Sequence, residues 1–327
     1  MIWNPCSRTP RRLLTATRAS PIPVAVMVSY RPAMKTQLLT PAAGPVFTVS
    51  EIFCEQIEAA IDELGDPDSG AEETNIHGAR KQLKRARATL RLLRDALGDD
   101  VYRRENTSVR DAARPLSPIR DSEILLDALD GVVKRFEGAA GNLPLDKLRS
   151  SLKHYRAELR EASIGDSHLA QMREFLRGIE RRARRWQIIE QGWPVIESGL
   201  KRTYREGRKA GAAAYVEPTA DNLHEWRKQA KYLWHQLQLL ERLPKLRIGE
   251  LVDDTHALSD HLGDDHDLAV LRNETFQRVS GLDKSSASEL QALIDRRRAE
   301  LQARAFKLGE RLYSDKPKPF ARRFRPD

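Results

Sequence analysis

One octet occurs twice. His77-Gly78-Ala79-Arg80-Lys81-Gln82-Leu83-Lys84 returns 147 residues later as His224-Glu225-Trp226-Arg227-Lys228-Gln229-Ala230-Lys231. Both read His-x-x-Arg-Lys-x-x-Lys. On a helix, positions i, i+3, i+4 and i+7 fall on one face. Four neighbouring cationic or titratable groups repel one another, so a chain that builds this stripe twice is organised around an anion. The apolar residues keep the same register: Ile76, Ala79, Leu83, Ala86, Leu90 and Leu93 return as Leu223, Trp226, Ala230, Leu233, Leu237 and Leu240. Both sets lie opposite the charged stripe. Each helix is therefore expected to bury one face and present a cationic one.

A second pair of segments follows. Leu116-Ser117-Pro118-Ile119-Arg120-Asp121 is echoed by Leu262-Gly263-Asp264-Asp265-His266-Asp267 at an offset of 146. Two elements in nearly the same register predict a duplicated helical bundle, with halves near 48–164 and 167–314. Helical periodicity marks segments near 49–64, 73–97, 101–113, 118–136, 145–163, 167–191, 194–212, 221–242, 247–262, 265–278 and 284–312. Loops are expected at 65–70, 138–144, 216–219 and 281–283, where Gly, Pro and Asp gather. The class is all-α.

Charge narrows the function. The net charge is +9, but residues 51–314 hold 45 basic and 45 acidic residues. An anion site must therefore come from segregated charge rather than from excess. Residues 1–47 carry seven of the 17 prolines and are expected to form a disordered basic extension, with Met27 or Met34 as alternative starts. Residues 315–327 read as a basic tail. Cys6 and Cys54 are the only cysteines, which argues against a disulfide framework or a cysteine metal site. The compartment is expected to be reducing, and no apolar run is long enough to span a membrane.

The first stripe continues through Arg85, Arg87, Arg91 and Arg94, with no acid from 74 to 94. Arginine forks two hydrogen bonds onto phosphate oxygens and lysine adds a mobile charge. Histidine donates from either ring nitrogen. Lys201, Arg202, Arg205 and Arg208 make a further basic stretch, whose first-half counterpart from Cys54 to Asp62 has no Lys or Arg. Tyr204 reads as core. The segment from Asp253 to Asp267 has the composition of a metal cluster, with His256 and Asp260 at ligand spacing. Helix caps account for Asp264 and Asp265, however, and a salt bridge to a basic helix for Asp267. No metal or cofactor is expected. Phosphate-loop, nucleophile-elbow and zinc-protease motifs are absent, so no catalytic residue is assigned.

Together, the two stripes, the Leu116 to Asp121 and Leu262 to Asp267 segments and the Leu200 to Lys209 stretch resemble the CHAD domain, a histidine-containing α-helical family, over roughly 48–314. The resemblance implies two pseudo-symmetric antiparallel helical bundles with a basic central groove or pore. It also implies inorganic polyphosphate as the partner, and a cytoplasmic place on polyphosphate granules. The residues matching the family's basic positions are His77, Arg80, Lys81, Lys84, His224, Arg227, Lys228 and Lys231, with Lys201, Arg202, Arg205 and Arg208; Arg85 and Arg91 extend the first stripe. Where the first half has Arg120-Asp121, the second has His266-Asp267. The alternatives are a nucleic-acid-binding protein, and a phosphohydrolase or histidine phosphotransfer protein using His77 and His224. The sequence leaves oligomeric state and chain-length preference open.

Overall fold

The computed structural model describes residues 45–65, 75–163, 165–188, 192–241, 246–277 and 282–325. The expected disorder of residues 1–47 and the alternative starts lie outside them up to residue 44, but residues 45–47 open a helix rather than belonging to a disordered extension; loop residues 66–70 also lie outside. The described residues form helices and no strand. In chain order these are α1 (Pro45–Glu63), α2 (Ile76–Leu92), α3 (Arg94–Ala113), α4 (Ser117–Arg135), α5 (Glu137–Ala140) and α6 (Asp146–Ser163). They continue as α7 (Asp166–Ala183), α8 (Trp193–Val216), α9 (Ala220–Leu240), α10 (Gly249–Gln277), α11 (Lys284–Leu312) and α12 (Pro317–Arg322). The all-α expectation is met.

The duplication is visible in the packing. In the first half α1 packs on α2, α2 on α3, and α4 on α6, and α1 also packs on α7, which lies beyond the expected boundary near 165. The second half repeats this order: α8 packs on α9 and α12, α9 on α10, and α10 on α11. One helix of the second half replaces two of the first. Helices α3 and α4 are separated by Arg114-Pro115-Leu116, and Pro cannot continue the helical ladder. No proline occupies 249–277, and α10 runs unbroken. The sequence expectation of two helices, 247–262 and 265–278, is therefore corrected. Its reason was the polar run Gly263-Asp264-Asp265, read as a helix start. Instead Asp265 is buried, taking bonds from Arg298 Nε at 3.0 Å and Gln302 Nε2 at 2.8 Å of α11. The helix expected over 73–97 ends at Leu92, and the chain breaks again at Gly98, whose φ of 75° suits glycine. Within the loop expected at 138–144, α5 forms a single short turn.

Two apolar cores hold the helices. The larger joins α1, α2, α3, α7, α8, α9, α12 and the N-terminal part of α10 around Phe53, Ile57, Leu83, Leu90, Tyr204, Trp226 and Leu237. The smaller joins α4, α6, the end of α10 and α11 through Leu129, Leu148, Leu271 and Ile294. Full burial of each such side chain stabilises by roughly 1.5–3 kcal/mol. Both cores take residues from either side of position 165. Basic residues 315–325 are anchored rather than loose, because Phe320 and Phe324 are buried and Phe320 stacks on Tyr204 at 3.8 Å. Tyr204 is core, as expected, and its hydroxyl donates to the Leu312 carbonyl at 2.9 Å. Cys54 is buried too, and burial pushes its thiol up to about 11, well away from a reactive thiolate.

Candidate functional site

Helix α2 starts on Asn75, whose side chain accepts from the Gly78 amide at 2.9 Å. Helix α9 starts on Thr219, which accepts from the Asn222 amide at 3.2 Å. Both apolar sets are inward. Ala79, Leu83, Ala86, Leu90 and Leu93 are fully buried, as are their counterparts from Leu223 to Leu240, while Ile76 is partly buried. The stripes consequently point away from the core, and α2 crosses α9. At the crossing Gln236 Nε2 donates to the Ala88 carbonyl at 3.0 Å. The Arg91 guanidinium lies 4.0 Å from the Tyr232 ring centre.

The crossing brings the two stripes together. Lys231 is half-buried, and burial lowers its pKa, with Arg227 and Lys81 adding repulsion. Lys81 is lowered by burial and by Arg85. Lys84 and Arg85 both act electrostatically on His235, beneath Lys231. Cations of α2 and α9 thus share one seam, which a polyanion would relieve.

Several cations of the seam nevertheless have local partners. Arg80 Nη1 donates to Ser117 Oγ at 2.5 Å. Its counterpart Arg227 faces Gly263, at the position of Ser117, and reaches Asp267 Oδ1 at 3.9 Å. This is the salt bridge to a basic helix expected for Asp267. Lys228 Nζ lies 2.5 Å from Glu225. At the position of Glu225 the first copy has Gly78, and Glu63 of α1 supplies the carboxylate that raises Lys81. His77 is exposed. His224, in contrast, is half-buried, with its ring centre 4.8 Å from that of His266. Burial lowers its pKa, and His266, Arg227 and Lys228 reinforce the shift. The matched histidines of the two octets therefore sit in unlike surroundings.

The basic residues of α8 lie elsewhere. Arg202 pairs with Asp95 of α3. Arg205 Nε sits 3.4 Å from Glu206, and Arg208 Nη1 donates to the Asp315 carbonyl at 3.4 Å. Lys201 is half-buried. Arg202 and Arg205 meet Arg91 of α2 and Gln229 of α9 in a pocket of about 440 Å³, with Arg94, Asp95, Asp99 and Tyr102 on the opposite wall. The α3 wall was not foreseen as part of a site. Its contact with α8 spans 107 residues of sequence, and no local spacing records it.

Sequence reasoning also passed over His235. It is 6% exposed, and its Nδ1 lies 3.3 Å from Gln238 Oε1. Burial, then Lys231 and Arg85, hold its pKa well below the usual value. The unfolded chain protonates this imidazole near pH 6.5, while the folded chain does so only at lower pH. Its contribution to stability is full above about pH 6.5 and is lost as pH falls below that value. Urea titrations between pH 7 and pH 5 should show falling stability, and His235→Gln should make the fall shallower. Identical slopes for the two proteins would exclude His235 as the cause.

The helices define a duplicated all-α protein with a cationic seam where two equivalent helices cross. The chain belongs to the CHAD domain family, whose model matches residues 55–275. Two solved structures share the fold. PptA from Streptomyces chartreusis has a TM-score of 0.59 at 14% identity, covering 83% of this chain and 100% of that one. The crystal structure of the CHAD domain from the plant Ricinus communis has a TM-score of 0.55 at 15% identity, covering 85% of this chain and 94% of that one. No curated protein matches. Among the described residues, no helix is long and apolar enough to cross a membrane.

Proposed function

We propose that the seam binds inorganic polyphosphate without turning it over, and that this binding holds the protein on cytoplasmic polyphosphate granules. The carrying observation is the α2–α9 crossing, which sets Lys81, Lys84 and Arg85 beside Arg227 and Lys231. A linear polyphosphate repeats its charge at short regular intervals and suits a run of such cations. Membership of the CHAD family supports the same ligand. A nucleic acid would draw on the same charges but also on exposed aromatic rings for its bases, and Trp226 and Tyr232 are buried. No metal or cofactor is part of the proposal.

Titration with polyphosphates of graded length tests it. Lys84→Ala and Lys231→Ala should each weaken long chains by about fivefold, from a loss on the order of 1 kcal/mol per charge-assisted contact. The double change should approach the product of the two, since the lysines belong to different helices. RNA that displaces long polyphosphate at equal phosphate concentration would refute the proposal.

A further inference from the structure

At one end of the seam, α2 and α9 run into the pocket walled by Arg91, Arg94, Arg202 and Arg205. The internal repeat matches these four arginines in sequence to Gln238, Glu241, Glu55 and Glu58, and Glu58 pairs with Arg184. Four guanidinium groups in one set thus correspond to an amide and three carboxylates in the other. The repeat that made the seam nearly symmetric therefore did not extend to this arginine set.

The arginine pocket has unmet hydrogen-bonding capacity. Arg91 Nε and Arg202 Nη1 are buried and have no hydrogen-bond partner. Buried guanidinium donors are costly to leave without an acceptor. Asp95, Asp99 and Glu206 line the same pocket and already neutralise most of its charge. Four arginines against three carboxylates leave one surplus positive charge, together with the two idle donors. The idle donors suit one compact group that offers several unbridged oxygens.

A polyphosphate chain offers such a group only where it stops. An interior phosphate bridges two neighbours and carries one negative charge. A terminal phosphate has three unbridged oxygens and approaches two charges near neutral pH. It can accept forked bonds from two arginines at once.

We propose that the α2/α3/α8 pocket seats the terminal phosphate of polyphosphate, so that the chain binds by one end and runs from there along the seam. This inference rests on the polyphosphate reading, and the test separates the two. The full chain is titrated with a short linear polyphosphate of defined length, in one form with free ends and in the other with both ends blocked as alkyl esters. Blocking should weaken binding about tenfold, the loss of one or two charge-assisted bonds. Arg205 is exposed, so its removal leaves the core intact. Arg205→Ala should lower the affinity for the free-ended chain to that of the blocked chain, and should leave the blocked chain unaffected. Equal affinity for the two forms, or equal weakening of both by Arg205→Ala, would overturn the terminal seat and leave the seam as a polyphosphate site. Failure of both forms to bind would overturn the polyphosphate reading itself.

Discussion

Raising monovalent salt from about 50 to about 200 mM should weaken the binding of long polyphosphate by roughly 100- to 1,000-fold. The basis is counterion release. A polyanion holds condensed cations, and each phosphate neutralised by a lysine or arginine frees about 0.7 of one, as with single-stranded nucleic acids. Lys81, Lys84, Arg85, Arg227 and Lys231 supply five such contacts at the crossing, and the arginine pocket adds more. The folded body carries 45 basic and 45 acidic residues over 51–314, so general attraction contributes little and the slope reports the local contacts. Fluorescence anisotropy of a labelled chain across this salt range measures it directly. A change smaller than threefold would mean that the seam cations do not touch phosphate. Lys84→Ala and Lys231→Ala should each reduce the slope by close to one contact.

Gly199→Ala should destabilise the protein by about 3 kcal/mol, at the upper end of overpacking penalties. A methyl on Gly199 would stand 2.6 Å from the Leu92 Cα and 2.7 Å from its carbonyl oxygen. Those are backbone atoms at the end of α2, which cannot swing aside as a side-chain tip would. Helix α8 must then lift away from α2. Arg202 and Arg205 follow Gly199 by three and six residues on α8, so the displacement also moves two walls of the arginine pocket. Denaturant unfolding should give a lower midpoint at an unchanged slope. An effect below about 0.5 kcal/mol would show that the contact between α8 and α2 is looser than described.

The sequence carried much of this architecture because the relevant signals were periodic. The apolar sets of α2 and α9 are the buried faces, since nothing but the helical repeat decides which side of a helix meets the core. Gly263-Asp264-Asp265 misled because polar residues with glycine mark helix starts in solvent. Here Arg298 and Gln302, more than 30 residues away, satisfy Asp265 inside the protein and let α10 continue. The α3 wall of the arginine pocket escaped for the same reason. Asp95, Asp99 and Tyr102 acquire their role from α8, and α8 finds α3 only through tertiary packing. The unlike settings of His77 and His224 were equally hidden, because His266 reaches His224 from another helix.

The seam carries its own counter-ions. Glu63 acts on Lys81, Glu225 holds Lys228, Asp267 approaches Arg227, and Asp95 holds Arg202. Without ligand, these carboxylates keep the cations apart in energy as well as in space, and the crossing of two like-charged helices survives. An arriving anion must take the place of these groups, one after another. A lone phosphate meets that competition with few contacts and gains little over the carboxylate it displaces. A long thread meets it many times over, with each new contact made at the high local concentration set by the last. On the polyphosphate reading, the arrangement would work as a threshold that discriminates by charge density along a chain, with simple anions falling below it.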